Sequence, residues 1–137
     1  PNIIHRDDWR EGATQALQSV DRLIVEGRSV VASRNPQLAS RAAIALSEQY
    51  VWLIALAEDD SLRPNPGSTW LRWTNRRGLP LWVFADLILA STGATEALNL
   101  DGGPSVNVHI EGRDTSHQLT GETGTVNAIL VVPTRPP

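Results

Sequence analysis

The chain has 137 residues, 41% of them hydrophobic and 20% charged, with a net charge of -3. That composition suits one globular domain and is unlike a disordered or fibrous chain, while the negative balance argues against a general nucleic-acid or membrane-surface binder, which needs a cationic field. There is no Cys and no Lys, which excludes disulfides, thiolate chemistry and lysine bases or Schiff bases.

Taken in chain order, the opening "PNIIHRDDWREGATQALQSV" lacks the apolar core of a signal peptide, and no later run approaches membrane-spanning length. Because Met is absent, the chain is expected to be processed or to belong to something longer. His5, Asp7 and Asp8 are metal-competent, but three polar residues near a terminus define no site. Next, "RLIVEGRSVV" predicts a hairpin with strands Leu23 to Val25 and Ser29 to Val31 around Glu26 and Gly27. The segment "SRAAIALSEQYVWLIALAEDD" predicts a second hairpin, Ala42 to Leu46 and Tyr50 to Ala57, although its alanines also permit a helix. "SLRPNPGSTWLRWTNRRG", with two prolines and two glycines, is loop. In it, Trp70 and Trp73 could stack on a sugar ring or could simply pack the loop, and Arg76 and Arg77 suit a solvated loop or an anion contact.

"LPLWVFADLILASTGA" is the strongest helix pattern, about 80–92, with Pro80 suited to a first helical position and Gly93 to the residue past the end. Leu81, Phe84 and Ile88 share one face, flanked by Trp82 and Leu89, which predicts a well-buried helix. A strand Ala97 to Leu100, a glycine turn, a strand Val106 to Ile110, a last strand Val126 to Val132 and a proline-rich tail, 133–137, follow. The predicted fold is a single α+β domain over 1–137: a mixed, mainly antiparallel sheet with one buried helix.

The turn itself reads Asp101, Gly102, Gly103, Pro104, Ser105. Glycines let a ligand approach the backbone, their amides could face an anion, and Asp101 could act as base, orienter or cation ligand. The same residues would equally make a tight turn capped by its acid.

The run "GLPLWVFADLILASTGATEALNLDGGPSVNV" resembles the phosphodiester glycosidase family. That family has a helix opening Gly-Leu-Thr-Leu, a Leu-Gly-Ala ending and then Ala-Leu-Asn-Leu-Asp-Gly-Gly-Gly-Ser. In the same order, "ALQSVDRLIVEGR" is similar to its Ala-Leu-Gln-Ser-Gly-Pro-Leu-Leu-Val segment, "SRAAIAL" to its Arg-Thr-Ala-Ile-Gly segment, and "VNAILVV" to its closing strand. The matches run from Ala16 to Val132, which corresponds to the C-terminal part of the family's domain.

The resemblance implies a hydrolase that releases a sugar from a sugar 1-phosphodiester, with a sugar phosphodiester or glycan as partner and export or a periplasmic location. It implies Asp101 at the reacting centre and Arg41, at the Arg-Thr-Ala-Ile-Gly position, as phosphate holder, since a planar guanidinium grips phosphate at two points. Gly102, Gly103 and Ser105 would shape the turn, with the Ser105 hydroxyl as a phosphate donor. A serine nucleophile is disfavoured, because nothing in the spacing sets His109 or His117 beside Ser105. A divalent cation is allowed by the family, but no ligand set is readable.

Departures set the expectations for activity. Pro104 and Val106 stand where the family has glycine and serine, "ETGT" lacks the family's Arg, and only "PNIIHRDDWREGATQ" stands where the family carries an Asn-Gly-Phe-Phe type region. The chain is accordingly expected to associate with itself or with a partner chain supplying that region. The alternative roles are a non-catalytic glycan- or anion-binding module and a structural subunit of a larger assembly.

Overall fold

The structure is a computed structural model and describes residues 1–4, 6–8, 12, 16–19, 21–56, 78–111, 116–119, 123–124 and 128–132. Trp70, Trp73, Arg76, Arg77 and His5 lie outside the described residues.

Two local hairpins form first in the chain. Strands β1 (Arg22–Val25) and β2 (Arg28–Ser29) pair antiparallel through Glu26 and Gly27, whose φ angles of 49° and 72° make the tight turn that matches strand twist. β2 is shorter than the predicted Ser29 to Val31 and starts one residue earlier. The pairing still extends one bond further, from the Val30 amide to the Leu23 carbonyl at 2.9 Å. Strands β3 (Arg41–Leu46) and β4 (Val51–Leu56) pair in unbroken register from Arg41 opposite Leu56 to Leu46 opposite Val51. The alternation of burial along both strands resolves the helix alternative in favour of strands.

β5 (Glu96–Asn99) joins the hairpins. It lies antiparallel to β1 on one side and to β3 on the other, giving the sheet order β2-β1-β5-β3-β4. Arg22 and Glu96 form an ion pair across the β1–β5 junction, and the other Glu96 oxygen accepts the Glu26 amide at 3.2 Å. The pairing slips between Arg22 and Ile24, so that Leu23 and Ile24 are both fully buried.

Helix α1 (Leu81–Thr92) covers one face of the sheet. Phe84, Ala85 and Ile88 are its buried residues, packed with Leu23, Ile24, Ala43, Ala45 and Ala97. The small alanines of β3 and β5 let the helix sit close to the sheet, and burying Phe84 and Ile88 contributes about 1.5–3 kcal/mol each. Burial is narrower than predicted: Leu81, Trp82 and Leu89 are only partly covered, and Leu87 is 46% exposed. Trp82 instead receives the Arg34 guanidinium over its ring, 4.7 Å from the centroid. Pro80 precedes the first helical residue rather than occupying it, with φ -58° and ψ 147°, and its carbonyl accepts the Phe84 amide at 3.0 Å. Gly93 ends the helix as predicted, in the left-handed region at φ 61°, with its amide on the Leu89 carbonyl.

Beyond β5 the predictions need correction. The strand expected at Val106 to Ile110 is split: Gly103–Ser105 form a short 3-10 turn, favoured by the fixed φ of Pro104, and β6 (Val108–Glu111) begins only afterwards. β6 pairs with β7 (Ser116–Leu119) in a separate two-stranded sheet. β7 was not predicted, because "SHQL" shows no apolar alternation. The last strand, expected at Val126 to Val132, is not formed over 128–132. Those residues have no ladder partner among the described residues, and Leu130 is 82% exposed. An apolar composition gives a strand only when a neighbouring edge receives its amides. The fold class is α+β, mainly antiparallel, with one helix.

Candidate active site at the end of β5

The candidate residues converge where the central strand ends. β5 runs towards the edge at which both its neighbours, β1 and β3, begin. Its register opposes Ala43 to Asn99, and the next bond joins the Leu100 amide to the Ala42 carbonyl at 2.8 Å. Beyond that bond the register slips by one residue, since it is the Gly103 amide and not that of Gly102 that reaches the Ser40 carbonyl, so Asp101 lies in an irregular step beside the start of β3. On the other side, the Asn99 amide donates to the Asp21 carbonyl at 2.9 Å, so Asp21 belongs to the same edge.

The glycine turn docks on β3. The Gly103 amide donates to the Ser40 carbonyl at 2.8 Å, and Gly103 has φ 61°. A Cβ on Gly102 would lie 2.8 Å from the same Ser40 oxygen, too close for any side chain, so glycine there is required by strand packing. The Gly102 amide donates to Asp101 Oδ1 at 2.9 Å. Both glycine amides therefore have acceptors within the chain, and the turn is not a set of free donors awaiting an anion. Asp101 combines the two readings of the sequence: one oxygen holds the turn, and the residue is exposed at the end of the sheet.

Arg41 is also partly engaged. Its Nε donates to the Leu79 carbonyl at 2.9 Å and its Nη2 to the Gln37 carbonyl at 3.0 Å. Burial lowers the pKa of its guanidinium, and the nearby charge of Asp21 opposes that shift. With five N–H groups, Arg41 retains donors beyond these two bonds. Leu79 is itself fixed, its amide on the Ala39 carbonyl at 3.0 Å, and Gly78 at φ 85° allows this approach.

Ser105 Oγ lies 3.4 Å from Thr123 Oγ1, and the Thr123 amide donates to the Pro104 carbonyl at 3.1 Å. Asn107 Nδ2 bridges the carbonyls of Ser105 and Thr123 at 3.2 and 3.3 Å. His109 on β6 pairs with Glu111 at 3.3 Å. Among the described residues, no three His, Asp or Glu side chains are grouped to hold a metal ion, and no helix is long and apolar enough to cross a membrane.

The structure thus brings Asp101, Gly102, Gly103, Ser105 and Arg41 to one edge. Sequence reasoning missed Asp21, Ser40, Gly78 and Thr123. Asp21 stands immediately before the first strand, which was a usable signal only once β1 was known to flank β5.

Residues 3–132 match the phosphodiester glycosidase family, and the chain belongs to it. The match includes the stretch before Ala16, where no family motif was legible. Comparisons with curated proteins and with solved structures give no match.

Proposed function

We propose that this chain is a phosphodiester glycosidase that hydrolyses a sugar 1-phosphodiester to free sugar and a phosphomonoester. The observation that supports this reading is that Arg41, the first residue of β3, and Asp101, two residues beyond β5, lie at the same end of the antiparallel β3–β5 ladder, in a chain of this family. In the proposed step, water attacks the anomeric carbon and the bond from that carbon to the phosphate oxygen breaks. The leaving phosphate takes the bonding electrons, and the water proton passes to Asp101 or to solvent. A phosphate is a weakly basic leaving group, so neutralising its charge matters more than protonating it. Arg41 supplies that charge through the N–H groups not held by Leu79 and Gln37, and the Ser105 hydroxyl adds a hydrogen bond. Asp101 orients the water or the sugar while its other oxygen keeps the turn in place. The transition state has oxocarbenium character, which a nearby carboxylate favours.

Asp101 is exposed, so the sugar has to be enclosed by more than the sheet edge. Trp70 and Trp73 are the chain's own candidates for that enclosure, and a second copy or a partner chain is the external one. The direct test is incubation with a nitrophenyl phosphate diester of N-acetylglucosamine. Release of free sugar and nitrophenyl phosphate in equal amounts supports the reading. Binding of the diester without turnover points instead to a glycan- or anion-binding module, the reading favoured by the open position of Asp101.

A further inference from the structure

Asp21 stands at the same sheet edge as Arg41 and has no part in the step proposed above. Its carbonyl accepts the Asn99 amide at 2.9 Å, next to the β1–β5 pairing that opposes Arg22 to Leu98. Asp21 is therefore opposite Asn99, and Asn99 is opposite Ala43. Residues directly opposite in an antiparallel ladder share a face, and Ala43 is buried in the core that α1 covers. Arg41, two residues before Ala43 on β3, has that face too: its Nε is bonded to the Leu79 carbonyl, in the segment that leads into α1. Asp21 and Arg41 thus flank the end of β5 from its two sides, on the helix face of the sheet.

The two charges feel one another without touching. The charge of Asp21 opposes the lowering of the Arg41 pKa by burial. The bonds of Arg41 nevertheless go to the carbonyls of Leu79 and Gln37, and among the described residues it has no ion pair with a carboxylate. Asp21 is exposed, and the sheet uses only its backbone carbonyl. Counted without a gap from Ala16, the family's Ala-Leu-Gln-Ser-Gly-Pro segment has proline at this position, so the carboxylate is a feature of this chain rather than of the motif.

A carboxylate beside a phosphate-holding arginine has a definite electrostatic consequence. A phosphodiester carries one negative charge, whereas a phosphomonoester, with a second pKa of about 6, carries nearly two at neutral pH and above. Arg41 by itself favours the more highly charged monoester, which the reaction leaves behind as product. A fixed negative charge near the guanidinium offsets that preference, because it repels a dianion twice as strongly as a monoanion. We propose that Asp21 is a specificity-determining residue that biases the Arg41 site towards phosphodiesters and against phosphomonoesters. The proposal rests on the reading of Arg41 as the phosphate holder.

The test compares N-acetylglucosamine 1-phosphate with its methyl diester at pH 8 and low salt, with binding followed by ligand NMR so that any turnover is seen directly. Asp21→Asn keeps the backbone carbonyl and should leave the melting temperature unchanged. It should strengthen diester binding about threefold and monoester binding about tenfold, the second factor being near the square of the first. Asp21→Glu retains the charge and should preserve the ratio of the unaltered chain. At about 0.5 M salt the effect of Asp21→Asn should largely vanish, since exposed charges are screened. Equal gains for both ligands, no gain, or the same shift in ratio with Asp21→Glu would overturn the assignment of Asp21 while leaving Arg41 as phosphate holder. Failure of the unaltered chain to bind either ligand would remove the reading of Arg41, and this proposal with it.

Discussion

Arg41 Nε donates to the Leu79 carbonyl at 2.9 Å and thereby ties the first residue of β3 to the segment leading into α1. The residue proposed to hold phosphate is thus also a strut between sheet and helix. Arg41→Lys separates the two duties. Lysine retains the charge but can neither fork around a phosphate nor reach two carbonyls in one plane. Binding of a sugar phosphodiester should weaken about tenfold or more, with free-sugar binding unchanged, and stability should fall by about 1 kcal/mol for the lost bond. Calorimetric titration of both ligands, beside a urea melt, checks this; equal losses for the two ligands would leave Arg41 as a strut alone.

Asp101→Asn retains an oxygen that accepts the Gly102 amide, so the turn and the melting temperature should survive. Turnover of the nitrophenyl diester should fall by about two to three orders of magnitude, the range for a positioned acid or base. Unchanged turnover would remove Asp101 from the chemistry. A large fall in melting temperature would make it a turn cap.

Gly78 and Gly27 both have positive φ, at 85° and 72°, but their surroundings differ. A Cβ on Gly78 would lie 1.7 Å from the Ala39 carbonyl oxygen, whereas one on Gly27 meets nothing within 4 Å. Gly27→Ala should cost about 1–2 kcal/mol, the left-handed penalty alone. Gly78→Ala must also push two backbone segments apart and should cost at least about 3 kcal/mol, with loss of the Leu79 bonds. Urea unfolding of the pair measures the difference, and equal costs would contradict the close approach.

Among the described residues, Phe84 is the largest fully buried side chain, and it sits against the alanine-rich sheet face. Phe84→Ala should destabilise by about 3–5 kcal/mol, because the strands cannot collapse into the space without breaking their ladders. Thermal and urea melts check it, and a cost below that of Gly27→Ala would argue against α1 as the cover of the core.

The two hairpins, the helix and the central strand were legible because each follows from local signals: Glu26-Gly27 between short apolar runs, Pro80 and Gly93 around an amphipathic stretch. The choice of Arg41 and Asp101 came from the family's motif order, since nothing in a spacing of sixty residues fixes a strand register. Asp21 and Ser40 were invisible for the same reason: their importance arises from which strand lies beside which. The glycine pair was misjudged in part, since Gly102 is small to admit Ser40, not to admit a ligand. The closing run shows the opposite error, with β composition read as β structure where no edge received it.

β5 lies in the middle of the sheet but late in the chain. Until Glu96 to Asn99 has been synthesised, the β1–β2 and β3–β4 hairpins share no strand partner, and Arg22 waits 74 residues for Glu96. Folding is thus gated by a non-local closure, which slows it and leaves two apolar hairpins unjoined during synthesis. The strand that completes the sheet also carries Asp101 just beyond its end, so the proposed centre is assembled in the same event that commits the chain to its fold.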